Sequence, residues 1–142
     1  MSELTIEKIF QDEGIESPFQ NRLELIKLVR RGISKKSILK LSELLSLSVK
    51  DFAKLLPVTE RTIQRYHVNK RFKSDISEHI ILIAEVIVKG LEVFPNQERL
   101  KNWLNAPNKS LDNTKPIELL DTSFGAQLVI DELGRMEYGV YS

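Results

Sequence analysis

The sequence predicts an all-α fold, two helical parts joined by a long central helix. Three observations carry that prediction. Apolar residues return every three or four positions in one segment after another, which places them on one helical face. Gly32, Pro57, Pro95 and Pro116 separate these segments, and Ser, Thr or Asn stands at most of the restarts. No stretch alternates apolar and polar residues as a half-buried strand would.

In chain order, Ile6, Ile9 and Phe10 form a first apolar stripe, after which Gly14 and Pro18 break the chain. From about Phe19 to Arg31, the residues Leu23, Leu25, Ile26, Leu28 and Val29 recur at helical spacing, and Gly32 tolerates the left-handed conformation that ends a helix. Ser34 reads as the N-cap of a helix from about Lys35 to Leu45 with Ile38, Leu39, Leu41, Leu44 and Leu45 on its apolar face. Ser48 opens the next: its hydroxyl can accept from the amide of Asp51, whose carboxylate favours the positive helix end. Phe52, Ala53, Leu55 and Leu56 supply that helix's buried face, and Pro57 stops it. Thr59 caps a helix running through Tyr66.

A polar, basic stretch over 67–75 leads to the clearest helix, where Ile76, Ile80, Ile83, Ala84, Ile87, Val88, Leu91 and Phe94 mark one broad face. Pro95 and Asn96 close it, and a shorter helix follows from about Gln97 to Leu104. In it Trp103 reads as core beside Leu100 and Leu104, with a partner anchor as the alternative. Residues 105–115 form a turn-rich linker, in which Pro107-Asn108 shapes a turn. Pro116 suits the first turn of a short helix through Leu120. Thr122 or Ser123 caps a last helix ending between Gly134 and Tyr138, with Phe124, Leu128, Val129, Leu133 and Met136 expected inward. The chain thus divides into N-terminal helices over 1–75, a connecting helix over 76–94 and a C-terminal domain over 95–142.

Hydrophobic residues make up 42% of the 142, enough for a packed core and too many for a disordered chain. The longest apolar run, around Ile80 to Val88, is interrupted by Glu85 and falls far short of the roughly 20 residues of a membrane span. No basic segment followed by an apolar run opens the chain, so a cytoplasmic location is expected. The absence of cysteine excludes disulfides and thiolate metal sites. The net charge of +1 conceals an asymmetry: residues 22–73 hold 14 Lys and Arg against 4 Asp and Glu. A basic middle with acidic flanks points to one surface that meets an anion such as nucleic acid.

Ser48 to Tyr66 reads as a helix-turn-helix, two short helices braced by a tight turn, the second entering the DNA major groove. Ala53 is small where two helices approach, and Val58 is apolar enough to plug the angle between them. The second helix turns Ile63 inward and presents Arg61, Thr62, Gln64 and Arg65, side-chain types that reach base edges and phosphates. Lys50, Lys54, Lys70 and Arg71, with Lys73, are placed to neutralise phosphates alongside. The competing reading is a helical bundle with one polar exposed helix. Catalysis finds no support. His67 and His79 fall on different elements without a Ser–acid partner, Asp131 and Glu132 point to different sides of a helix, and no glycine-rich phosphate loop or metal spacing is present. No cofactor is expected.

The ordered series Trp103-Leu104, Pro107-Asn108, Leu111, Pro116, Leu119-Leu120-Asp121-Thr122, Gly125, Val129, Leu133, Arg135 and Glu137-Tyr138-Gly139 resembles the Xre/MbcA/ParS antitoxin family, as does Arg61-Thr62-Ile63-Gln64-Arg65. The resemblance covers about residues 32–142. Two departures stand out: His79 replaces an Arg in the motif that opens the long helix, and Asn113-Thr114-Lys115 leads to Pro116 where the family has Gly. Asn adopts the same left-handed turn at modest cost.

The resemblance implies a C-terminal toxin-binding domain that neutralises a RES-domain toxin acting on NAD, and a helix-turn-helix that represses the shared promoter, commonly as a dimer or a larger complex with the toxin. The C-terminal half is acidic, with Arg135 the sole basic residue after Lys115, and an acidic plug complements a pyrophosphate-binding pocket. Arg135, Glu137, Tyr138, Val140 and Tyr141 are therefore the candidate toxin contacts, placing the tail from Arg135 to Ser142 near the toxin's active-site entrance. That the terminal apolar groups fold back on the core is the alternative. At the level of the molecule, the competing function is a stand-alone transcriptional regulator whose C-terminal half dimerises or senses a ligand.

Overall fold

The computed structural model describes residues 4–14 and 22–139, and every described element is helical. The elements are α1 (Ile6–Ile9), α2 (Arg22–Arg31), α3 (Lys35–Leu44), α4 (Val49–Ala53), α5 (Glu60–Arg65), α6 (Ser74–Val93), α7 (Gln97–Leu104) and α8 (Ser123–Glu137). Single 3-10 turns lie at Gln11–Glu13, Lys109–Leu111 and Pro116–Leu119. Among the described residues, extended pairing is limited to isolated bridges between Ser34 and Arg71 and between Asn108 and Thr114. The expected helix start at Phe19, together with Pro18, Val140, Tyr141 and Ser142, lies outside the described residues.

The 20-residue α6 organises everything else. It spans about 30 Å and packs most extensively against α8, then against α2. Because it is covered from two sides, its burial exceeds the single face expected: Ile81 and Val86 are buried along with Ile76, Ile80, Ile83, Ala84 and Ile87. One continuous apolar core results, running from Phe10, Ile38, Phe52 and Ile63 through Ile83 and Ile87 to Leu104, Leu120, Val129 and Leu133.

Several local expectations meet a different arrangement. Ser34 does occupy the N-cap position of α3, but its hydroxyl makes no cap bond to the helix. It donates instead to Glu13, whose buried carboxylate also accepts from the Ser34 amide and the Ser37 hydroxyl. An acid from the N-terminal segment thus satisfies the start of α3. In α8, Phe124 and Leu128 were expected inward, yet they are 88% and 49% exposed. The inner face is made by Gly125, Ala126, Val129, Glu132 and Leu133. At 100° per residue, Phe124 and Leu128 are centred about 140° from Val129 and Leu133, so α8 carries an apolar pattern with two faces, of which one is covered.

Gly125 fixes how α8 begins. A Cβ there would lie 1.8 Å from the Leu119 carbonyl oxygen, so only glycine allows the preceding turn to press on the helix. Thr122 caps α8 by accepting from the Gly125 amide at 2.9 Å. Asn108 shapes the preceding loop through its side-chain bond from the Ser110 amide, and Asn113 takes the left-handed conformation at φ 60°.

Candidate nucleic-acid and partner interfaces

Ser48 accepts from the Asp51 amide at 3.0 Å, as its spacing predicts, and α4 begins there. The helix ends at Ala53, four residues before Pro57. Beyond it three successive i→i+3 bonds, from the amides of Lys54, Leu55 and Leu56, tighten the chain. The tightened turn buries both Leu55 and Leu56. Val58, in the turn between α4 and α5, packs partly buried against the core. Thr59 then caps α5 by accepting from the Thr62 amide at 3.1 Å. The two short helices pack on each other across this turn, with Ile63 fully buried.

On α5, Arg61, Gln64 and Arg65 are exposed and fall within about 100° of arc opposite Ile63. Arg61 and Arg65 carry no ion pair among the described residues. The Gln64 amide is steadied by Glu60 at 2.9 Å. Thr62 is half-buried, and its hydroxyl is engaged with that of Thr59 at 3.0 Å, so it serves the cap. Lys50 is exposed on α4, the neighbour of α5, and Lys54 at the end of α4 pairs with Asp51 at 3.3 Å.

Lys70 lies over the Tyr66 ring, 4.5 Å from its centroid, and Tyr66 in turn stacks on buried Phe72 at 4.8 Å. This cation–aromatic stack closes α5 and was not foreseen in the sequence, because its members are separated by loop residues. Arg71 faces inward more than expected. Its guanidinium donates to the Gly32 carbonyl at 2.8 Å and approaches the Glu13 carboxylate at 3.5 Å. Arg31 also donates to the Glu13 carbonyl. Gly32 itself sits at φ +95°, where a Cβ would meet the Phe72 carbonyl oxygen at 2.6 Å.

The C-terminal candidates divide between two roles. Arg135 pairs with buried Glu132, its Nε donating at 3.0 Å. Glu137 accepts from Lys89 of α6 at 2.6 Å. That bond holds the Glu137 carboxyl below its usual range and raises Lys89 above the usual lysine value. Tyr138 is 81% exposed. Trp103 is partly buried and tilts against Phe94, ring centroids 5.8 Å apart. His79 is buried, its Nε2 lying 2.6 Å from the Leu120 carbonyl oxygen, so it ties the long helix to the turn before α8. His67 accepts from the Asn69 amide at 3.2 Å and shapes the turn after α5.

A groove between α2 and α6 is floored by Leu25, Ile26, Val29, Ile81 and Leu82 and bridged by the Arg22–Glu85 pair at 3.0 Å. Among the described residues no cluster of three or more potential ligands could hold a metal ion, and no helix is long and apolar enough to cross a membrane.

Comparison with known proteins divides the chain along the same lines. Residues 24–85 match the Antitoxin Xre-like helix-turn-helix domain, and residues 89–139 match the Antitoxin Xre/MbcA/ParS C-terminal toxin-binding domain. The chain is 33% identical over 88 residues to Antitoxin Xre of Yersinia enterocolitica, covering 61% of this chain. It is 29% identical over 73 residues to Antitoxin Xre of Photorhabdus laumondii, covering 51%. It spans 59% of the length of the first relative and 49% of the second. Its fold resembles a chain in the crystal structure of the M. tuberculosis MbcT–MbcA toxin–antitoxin complex, with a TM-score of 0.59 at 21% identity, covering 76% of this chain and 96% of that one. With the helix-turn-helix match running into α6 as far as residue 85 and the toxin-binding match resuming within the same helix at residue 89, the chain matches the Xre/MbcA/ParS antitoxins domain by domain.

Proposed function

We propose that this protein is the antitoxin of a two-component system. Its C-terminal domain binds and neutralises a RES-domain toxin that acts on NAD, and its helix-turn-helix represses the promoter the two share. The observation that carries this reading is the pairing of the two family domains on one chain around α6. Charge supports it: residues 22–73 hold 14 Lys and Arg against 4 Asp and Glu, whereas residues 116–142 hold Arg135 alone against five acids. Arg61, Gln64 and Arg65 are the base-reading candidates, with Lys50, Lys54 and Lys70 as phosphate contacts. Arg71 contributes mainly by holding Glu13 and Gly32 in place. A homodimer belongs to the same reading, and Leu23 and Ile26 offer it an exposed apolar patch on α2.

The test is co-expression with the product of the adjacent gene. The expected outcome is rescued growth and co-purification of the two chains. Failure of both would favour the stand-alone regulator. Removing residues 138–142 tests the tail and leaves the Arg135–Glu132 and Lys89–Glu137 pairs intact. The truncated chain should lose protection, and full protection by it would refute a tail at the toxin's active-site entrance.

A further inference from the structure

The outer face of α8 is turned to solvent. Phe124, Leu128, Asp131, Arg135 and Tyr138 are all exposed. Their spacing is four, three, four and three residues, so they stand in one row within about 80° of arc and span about 21 Å. Three of the five are large and apolar, and Phe124 is more exposed than any other large apolar side chain among the described residues. A single exposed leucine needs no explanation. An ordered row is the pattern by which an amphipathic helix lies in a partner's groove.

The helix that carries the row is held firmly at both ends. Its start is pressed against the Leu119 carbonyl at Gly125 and capped by Thr122. Its end is clasped to α6 by the Lys89–Glu137 pair. Its inner face is sealed by Val129 and Leu133, both fully buried. A face presented so rigidly loses little freedom when a partner covers it.

We propose that this row is the main docking surface for the toxin, with Phe124 and Leu128 as its anchors. The inference rests on the antitoxin reading above and places the largest share of the affinity on α8 rather than on the terminal tail. The whole row falls within the matched toxin-binding domain. Its charge selects the occupant. Asp131 stands in the row and exposed Asp121 just before it, whereas the one cation, Arg135, is already paired with Glu132. The fitting partner is a protein with an apolar groove and a basic rim. A second copy of this chain fits poorly, because a two-fold pairing of α8 with itself would bring Asp131 close to its own copy.

The test compares wild type, Phe124→Ser/Leu128→Ser and Asp131→Lys, each co-expressed with the product of the adjacent gene as the candidate toxin and then measured for affinity with purified components. Both serines replace exposed groups, so thermal unfolding should match wild type. The double variant should bind about 30-fold more weakly or worse, as the loss of a central anchor does. Asp131→Lys should slow association and reverse the sign of its salt dependence. Wild-type binding with the double variant within about threefold would overturn the inference and leave the antitoxin reading standing. No wild-type binding would overturn both. Loss of self-association in the double variant with toxin affinity unchanged would assign the row to a second copy instead.

Discussion

Glu13 shows how much one side chain can organise from a distance. It lies in a short 3-10 turn, yet its buried carboxylate accepts from Ser34 and Ser37 and faces Arg71. Removing it leaves an amide and two hydroxyls without their acceptor in a place water does not reach. Glu13→Ala should therefore cost about 2–3 kcal/mol in chemical unfolding, the order expected when buried donors lose their partner. An unchanged midpoint would mean that these donors find another acceptor. Nothing local in the sequence announced this role, because the residues concerned are 21 or more positions apart. By contrast, the caps at Ser48 and Thr59 were legible, since each depends on a hydroxyl and an amide three residues away. His79 belongs with Glu13: its acceptor, Leu120, lies 41 residues on.

At the scale of elements, α7 coincides with the segment from Gln97 to Leu104 that the periodicity and punctuation predict. The start of α6 and the end of α4 shifted by a few residues, because helix ends follow hydrogen bonds that side-chain pattern only suggests. The error in α8 was of another kind. Phe124 and Leu128 satisfy a helical apolar pattern as well as Val129 and Leu133 do, and only the position of α6 decides which pair is covered.

The Lys89–Glu137 clasp between these two helices has its own pH window. The Glu137 carboxyl is depressed by the bond from Lys89, so its contribution is present above the unfolded carboxylate range and lost as pH falls through the lower folded value. Lys89 is raised by the same bond, so its contribution is present below the unfolded lysine value and lost as pH rises through the higher folded one. A carboxyl NMR titration should show Glu137 titrating at higher pH in Lys89→Met than in wild type. Coincident curves would remove the clasp.

The whole molecule was legible in its class, its division of charge and its helix-turn-helix, because these depend on composition and on spacing within single segments. The packing of both halves on one helix was not, because that depends on which faces meet. The separation of tasks can be checked directly. Arg61→Ala/Arg65→Ala should abolish the mobility shift of promoter DNA while unfolding temperature and co-purification with the toxin stay as in wild type, since both guanidinium groups are exposed and remote in sequence from α8. Unchanged DNA affinity would remove these arginines from the reader.

The single strut α6 has a consequence for how the molecule fails. The matched regions end at 85 and resume at 89, inside that helix, and one core crosses the join. Melting is then one event rather than two. Under the proposed function, the collapse that lets the toxin go also vacates the promoter. The alarm and the order for a replacement would be sent by the same broken part.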